Sequence, residues 1–76
     1  MTTVRTQSGS VYEIDDCRVR RLSGERDPTP RQGPDGEWRT CMGISGPEVG
    51  WPMMFMWSVD ENVIKATMTS PVVSVE

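Results

Sequence analysis

The stretch that decides the fold is Trp51-Pro52-Met53-Met54-Phe55-Met56-Trp57, which holds two of the three tryptophans, the only phenylalanine and three of the six methionines. Seven residues match the length of a β-strand better than that of a helix. Side chains alternate along a strand, so one face carries Trp51, Met53, Phe55 and Trp57. This large aromatic face is predicted to form the core.

The opposite face of the same strand is also apolar, and one small core does not need it. It carries Pro52, Met54, Met56 and Ser58. A strand with two apolar faces needs a second cover. We predict that a second copy of the chain supplies it, with an oligomer interface at Pro52, Met54 and Met56 and a dimer as the default assembly. The alternative is that residues 23–36 fold over Met54 and Met56.

Length and composition are typical of one small globular domain over residues 1–76. Charged residues make up 25% of the chain and hydrophobic ones 36%. A domain of this size buries only about two thirds of its unfolded surface, so oligomerisation would help to stabilise it. The net charge of −3 argues against broad nucleic-acid binding, although a local basic patch remains possible.

The chain contains two cysteines, Cys17 and Cys41, and no histidine. Without a zinc-type spacing, no metal and no cofactor are expected. The distance between the two thiols cannot be read from the sequence. The polar N-terminus and the short apolar runs predict neither a signal peptide nor a membrane span. We therefore expect a cytoplasmic protein with reduced thiols, in the host cell if the protein is viral.

The first third of the chain predicts a three-stranded meander, with strands at 2–7, 11–15 and 18–22. A three-residue loop at 8–10 would place Val4 opposite Ile14 and Arg5 opposite Glu13. A two-residue loop at Asp16-Cys17 would then align the second hairpin. Its predicted pairs are Ile14 with Val19, Glu13 with Arg20, Asp15 with Arg18, Val11 with Leu22, and Tyr12 with Arg21. The last pair is polar and is predicted to lie near the rim of the inward face, where both side-chain tips reach water.

The rest of the chain predicts more short strands after a long Pro/Gly-rich loop at 23–36. A fourth strand is predicted at 37–44. The strand at 51–59 would turn at Asp60-Glu61 and pair with 63–69, followed by a short strand at 72–75. That turn predicts a core hairpin with Trp57 opposite Ile64, Phe55 opposite Ala66, Met53 opposite Met68, Met54 opposite Thr67 and Met56 opposite Lys65.

Six to seven short antiparallel strands without a helix indicate an all-β fold. We expect a small barrel or a two-sheet roll, with an SH3-like barrel as the nearest familiar shape. Catalysis has little support, because no histidine can act as a base and no nucleophile elbow is present. Neighbouring carboxylates such as Asp15 and Asp16 would point to opposite faces of a strand. The chain is therefore expected not to be an enzyme.

Binding has more support, because six of the eight basic residues are arginines between positions 18 and 39. Arginine favours bidentate contacts to phosphate or carboxylate. We predict a ligand site at Arg31, Gln32, Trp38 and Arg39, where an indole would stack on a nucleotide base and guanidinium groups would pair with its phosphates. The alternative is that Trp38 belongs to the core and the arginines pair with Glu13, Asp15 and Glu25.

Three segments carry a resemblance to a known group. They are Thr6-Gln7-Ser8-Gly9-Ser10-Val11-Tyr12-Glu13-Ile14-Asp15, Arg18-Val19-Arg20-Arg21-Leu22 and Thr29-Pro30-Arg31-Gln32-Gly33-Pro34-Asp35-Gly36-Glu37-Trp38. On these segments, about the first half of the chain resembles small accessory proteins of actinobacterial, mycobacteriophage-like bacteriophages. The resemblance implies a viral protein that acts inside a bacterial cell. Such proteins often bind and disable a host component, including immune signals.

Two functions follow as expectations. The first is a non-enzymatic phage accessory protein that binds and sequesters a host factor or signalling nucleotide, for counter-defence or host takeover, as a homo-oligomer. The second is a virion structural or assembly component whose function is oligomerisation. The arginine-rich loop discriminates between them, because a pocket lined by 23–39 would favour ligand binding.

Overall fold

The computed structural model describes residues 1–25 and 32–76, which form seven β-strands and no helix. The strands are β1 (Thr2–Thr6), β2 (Val11–Asp15), β3 (Arg18–Ser23), β4 (Arg39–Thr40), β5 (Gly43–Ile44), β6 (Pro52–Asp60) and β7 (Val63–Val75). All neighbours pair antiparallel in one sheet of order β4-β3-β2-β1-β7-β6-β5. The all-β prediction with six to seven strands is confirmed.

The long strand β7 joins the two halves of this sheet. Its first part pairs with β6 and its last part with β1. Along the chain, only Cys41 and Met42 lie between the two end strands, β4 and β5. The Cys41 N–H donates to the Cys17 carbonyl at 2.8 Å and the Met42 N–H to the Met56 carbonyl at 2.7 Å. The described strands β4 and β5 share no ladder, so the sheet is not closed into a barrel.

The segment 37–44 is therefore not the single strand that the sequence predicts. Its residues 39–40 form β4 at one end of the sheet, and its residues 43–44 form β5 at the other end. Residues 41–42 cross between the two ends. Two-residue strands at both edges leave few unpaired backbone groups exposed. The physical reason for the break is the pair of hydrogen bonds at Cys41 and Met42, which tie neighbouring residues to opposite halves of the molecule.

The core forms on the predicted face of β6. Met53 and Phe55 are fully buried and Trp57 nearly so, and the ring of Phe55 packs 5.2 Å from Tyr12 and 6.1 Å from Trp57, measured between centroids. Around them lie Val4, Tyr12, Val19, Cys41 and Val72. Trp51 is a correction, because it is 66% exposed. Its N–H bonds to the Glu48 carbonyl in a turn, so the strand begins only at Pro52.

The first hairpin has a different register from the predicted one. Val4 pairs with Tyr12 and Arg5 with Val11, a shift of two residues that keeps the same side chains inside but separates Arg5 from Glu13. The Thr6 N–H donates to the Ser10 carbonyl, so the loop is 7–9 rather than 8–10. A three-residue loop ends in a left-handed residue, and Gly9 takes that conformation at φ +91°. The position of this glycine decides the register.

The second hairpin confirms the predicted two-residue turn at Asp16-Cys17. Ile14 pairs with Val19, Glu13 with Arg20, Asp15 with Arg18 and Tyr12 with Arg21. Asp16 adopts a left-handed φ of +57°, which aspartate tolerates better than most residues. An irregularity then shifts the end of the ladder, so Val11 pairs with Ser23 rather than with Leu22.

The register of the β6–β7 hairpin differs from the predicted register by one residue. This shift exchanges the inner and outer faces of β7. The turn lies at 61–62, Asp60 pairs with Val63, and an irregularity follows between Ser58 and Asp60. A slip of one residue exchanges the two faces of a strand. Phe55 now pairs with Thr67 and Trp57 with Lys65 on the inner side. On the outer side Met54 pairs with Met68, Met56 with Ala66 and Ser58 with Ile64.

Candidate functional site

The four residues predicted to bind a ligand do not share one surface. Arg31 lies outside the described residues. Gln32 is buried, with only 2% of its surface exposed, although a ligand would need to reach it. Arg39 pairs with the buried Val19 and therefore lies on the inner side of the β3–β4 ladder, with its guanidinium against Gly33.

Trp38 lies on the opposite, outer side of β3. Its ring sits 4.7 Å from the guanidinium carbon of Arg20 and 5.1 Å from that of Arg18, measured to the ring centroid. These are cation–π distances. The indole is half-buried and is not part of the core cluster. It is also separated from the Arg39 side chain, which lies on the inner side.

Four arginines of the predicted basic stretch make ion pairs with carboxylates. Arg18 bonds to Asp15 at 2.8 Å, and Arg20 Nε bonds to Glu13 Oε1 at 2.6 Å. These two pairs were predicted. Arg39 lies 3.3 Å from Glu37, and Arg21 binds both carboxylate oxygens of Asp35. An anionic ligand would therefore compete with a carboxylate at each of these guanidinium groups.

Arg21 is a buried cation rather than the rim residue that the sequence predicts. It is 6% exposed and its partner across the ladder, Tyr12, is 7% exposed. Arg21 Nε donates to Asp35 Oδ1 at 2.6 Å, and its carbonyl accepts the Gly36 N–H at 2.7 Å. Burial raises the pKa of the Tyr12 phenol, and the positive charge of Arg21 partly offsets this. The arginine fixes the end of the long loop to the sheet.

The predicted interface residues lie together on the outer side of the β6–β7 hairpin. Pro52 is exposed and Met54 and Met56 are half-buried. β7 adds three apolar side chains to the same side, and together they form the apolar outer face, defined here as Met54, Met56, Ile64, Ala66 and Met68. Met68 is 67% exposed and Ile64 is 56% exposed. None of the five side chains carries a charge.

Sequence reasoning missed the contribution of β7 to this face. The alternation Ile64-Lys65-Ala66-Thr67-Met68 predicts that the three apolar residues face the core, but they face outward. The signal that could have indicated this was the buried indole of Trp57, which needs an acceptor for its N–H. Thr67 Oγ1 supplies it at 2.9 Å, which requires Thr67 to be inside.

Comparison with known proteins gives no relative for this chain. No family model matches it, and neither a curated protein nor a solved structure matches it significantly. Within residues 1–25 and 32–76 no group of three or more His, Cys, Asp or Glu is arranged to hold a metal ion. The same residues contain no helix long and apolar enough to cross a membrane.

Proposed function

We propose that this protein is a non-enzymatic phage accessory protein that works by association, as a homo-oligomer assembled through the apolar outer face. The observation that carries the proposal is the exposure of this face. Of the two functions that the sequence leaves open, exposure favours the structural or assembly component, whose function is oligomerisation. The phage setting follows from the resemblance of the first half of the chain.

The grouping of apolar side chains on the outer side of this hairpin supports association. Five neighbouring apolar side chains on two paired strands form one continuous patch, and such patches mark interaction sites more often than isolated hydrophobic residues do. Two more exposed apolar side chains lie on segments bonded to this hairpin. Met42 is bonded through its N–H to the Met56 carbonyl, and Trp51 through its carbonyl to the Val72 N–H. Methionine suits interfaces because its side chain is flexible and polarizable.

A second copy of the chain is the occupant that the charge pattern favours. In a two-fold dimer the same patch meets itself, so a charged side chain near the two-fold axis would face a like charge. The chain carries a net charge of −3, yet Met54, Met56, Ile64, Ala66 and Met68 are neutral, as are Pro52 and Ser58 on the outer side of the same strand. A face without charge can pair with its own copy without repulsion.

The small core supports the same conclusion. Among the described residues, the core cluster contains eight buried side chains, and the largest fully buried ones are Phe55, Met53, Val4, Val19 and Val72. A domain with so small a core gains little stability by itself. Complete burial of an exposed methionine or isoleucine stabilises by about 1.5–3 kcal/mol before the entropy of association is subtracted, and the half-buried Met54 and Met56 would gain less than this. Pairing of this face would therefore stabilise each protomer as well as join the two.

Sedimentation velocity at tens of micromolar tests the proposal. We expect the wild type to sediment as a dimer or larger closed assembly, and the Met68→Lys variant as a folded monomer. Leu22→Lys is the matched control, because it also replaces an exposed apolar strand residue but lies on β3. It should keep the wild-type assembly. A monomeric wild type would overturn the proposal, and loss of assembly in both variants would show that any added lysine causes the effect.

One observation favours a second candidate function, the sequestration of a host factor or an anionic ligand such as a signalling nucleotide. The half-buried Trp38 ring lies within 5.1 Å of two guanidinium groups, a combination that can stack a base and pair a phosphate. Native mass spectrometry of the purified protein discriminates between the candidates. A retained nucleotide mass would favour sequestration, whereas an assembly without ligand would favour the structural role.

A further inference from the structure

The fold brings the two cysteines side by side. In the β3–β4 ladder Arg18 pairs with Thr40 and Val19 with Arg39, so one further step places Cys17 opposite Cys41. Two hydrogen bonds confirm the contact. The Cys41 N–H donates to the Cys17 carbonyl at 2.8 Å, and the Cys41 thiol donates to the same oxygen at 3.2 Å.

This geometry suits a disulfide bond. Directly opposite residues of an antiparallel ladder have Cα atoms about 4.5–5.5 Å apart, and disulfides span Cα separations of about 4.4–6.8 Å. The Cys17 thiol lies close enough to the Cys41 thiol to act on it electrostatically. It is exposed at the turn, where its other contact is a long hydrogen bond of 3.9 Å that it donates to Asp16 Oδ1.

The two thiols differ in accessibility, which gives each a separate role. Cys17 is exposed at the turn, whereas Cys41 is 4% exposed and belongs to the core cluster. Burial raises the pKa of the Cys41 thiol, and the nearby Cys17 raises it further. Because Cys17 is the exposed thiol, it is the one that an external disulfide reaches first.

We propose that Cys17 and Cys41 form an oxidation site that closes to an intramolecular disulfide in the presence of a small-molecule disulfide such as oxidised glutathione. The Cys17 thiolate attacks one glutathione sulfur, forms a mixed disulfide and releases one reduced glutathione. Cys41 then loses its proton to solvent, and its thiolate attacks the Cys17 sulfur and releases the second reduced glutathione. Two protein thiols and one oxidised glutathione thus give one protein disulfide and two reduced glutathiones.

The bond would connect two segments that are distant in the sequence but adjacent in the fold. It would tie the β2–β3 turn to the segment that crosses from β4 to β5, and it would enclose the long loop between the two cysteines. A covalent link that closes a loop of this length restricts the unfolded chain and stabilises the fold. The proposal does not depend on the proposed function, because it rests on different residues.

The test is incubation of the purified protein with excess oxidised glutathione, followed by alkylation in denaturant and intact mass analysis under non-reducing conditions. We expect a monomer mass that is two hydrogens lower than that of the reduced protein, with neither cysteine alkylated, and a Tm raised by at least about 5 °C. A stable glutathione adduct at Cys17 with Cys41 still open to alkylation would overturn the proposal. So would a dimer linked through two Cys17 thiols.

Two variants test the order of the steps. Cys41→Ala should carry one glutathione at Cys17 and form no internal bond, because the resolving thiol is missing. Cys17→Ser should leave Cys41 unmodified in the folded protein, because the remaining thiol is buried. If Cys41 of the Cys17→Ser variant reacts as fast as the wild type, Cys17 is not the entry point and the proposed sequence is wrong.

Discussion

At the scale of single residues, the most consequential feature is a cation inside the fold. Arg21 has a side chain that is only 7% exposed, and Asp35 binds it with two of its oxygen atoms. A bidentate pair of this kind is stronger than a surface ion pair, and removing one partner leaves a buried charge without that compensation. Asp35 also belongs to the turn whose Gly36 N–H bonds back to Arg21.

Asp35→Ala should lower the free energy of unfolding by about 1.5–3 kcal/mol, because it removes two charge-assisted hydrogen bonds from a buried guanidinium. Asp15→Ala is the matched control. It removes one carboxylate from the exposed pair with Arg18, so the loss should stay within about 1 kcal/mol. Urea denaturation at a fixed protein concentration measures both. Equal losses in the two variants would contradict the structural role of Asp35.

At the scale of elements, the register of the β6–β7 hairpin determines which side chains of β7 lie on the outer side of the sheet. The extra residue between Ser58 and Asp60 moves Thr67 inward and Ile64, Ala66 and Met68 outward. The inner position of Thr67 has a chemical reason, because its hydroxyl accepts the indole N–H of Trp57, which is 5% exposed. The apolar outer face is thus the consequence of satisfying a buried donor.

Thr67→Val should destabilise the fold by about 1–2 kcal/mol, since it keeps the shape of the side chain and leaves the Trp57 N–H without this acceptor. Thr40→Val, at an exposed position of β4, is the control and should change stability by no more than about 0.5 kcal/mol. Chemical denaturation followed by tryptophan fluorescence reports both. In the register predicted from sequence, Thr67 would face outward and the two variants would behave alike.

At the scale of the whole molecule, the described part of the chain forms one sheet with a core cluster on its inner side and leaves Ile64 and Met68 of the apolar outer face exposed. If a second copy covers this face, unfolding must also separate the protomers, so stability depends on protein concentration. The Tm of the wild type should therefore rise by several degrees over a hundredfold increase in concentration, as differential scanning calorimetry can measure. Met68→Lys should show a Tm that is independent of concentration. An independent Tm in the wild type would contradict association through this face.

The sequence by itself determined that the chain is all-β, that Met53, Phe55 and Trp57 form the core face, and that a two-residue turn at Asp16-Cys17 aligns the second hairpin. These features depend on local chemistry, because side-chain alternation and opposite charges act between neighbours on the chain or across one short turn. The aligned ion pairs of β2 and β3 are an example. They needed no knowledge of the remaining fold.

Only the tertiary structure decided the rest. Alternation says which residues of β7 share a side, but both sides of β6 are apolar, so the pattern does not say which side of β7 faces the core. One irregularity near Val59 settled it and turned Ile64 and Met68 outward. Likewise, segment 37–44 has strand character along its length, yet hydrogen bonds to distant partners split it in two. Contacts between residues far apart in the chain chose among patterns that local chemistry leaves equivalent.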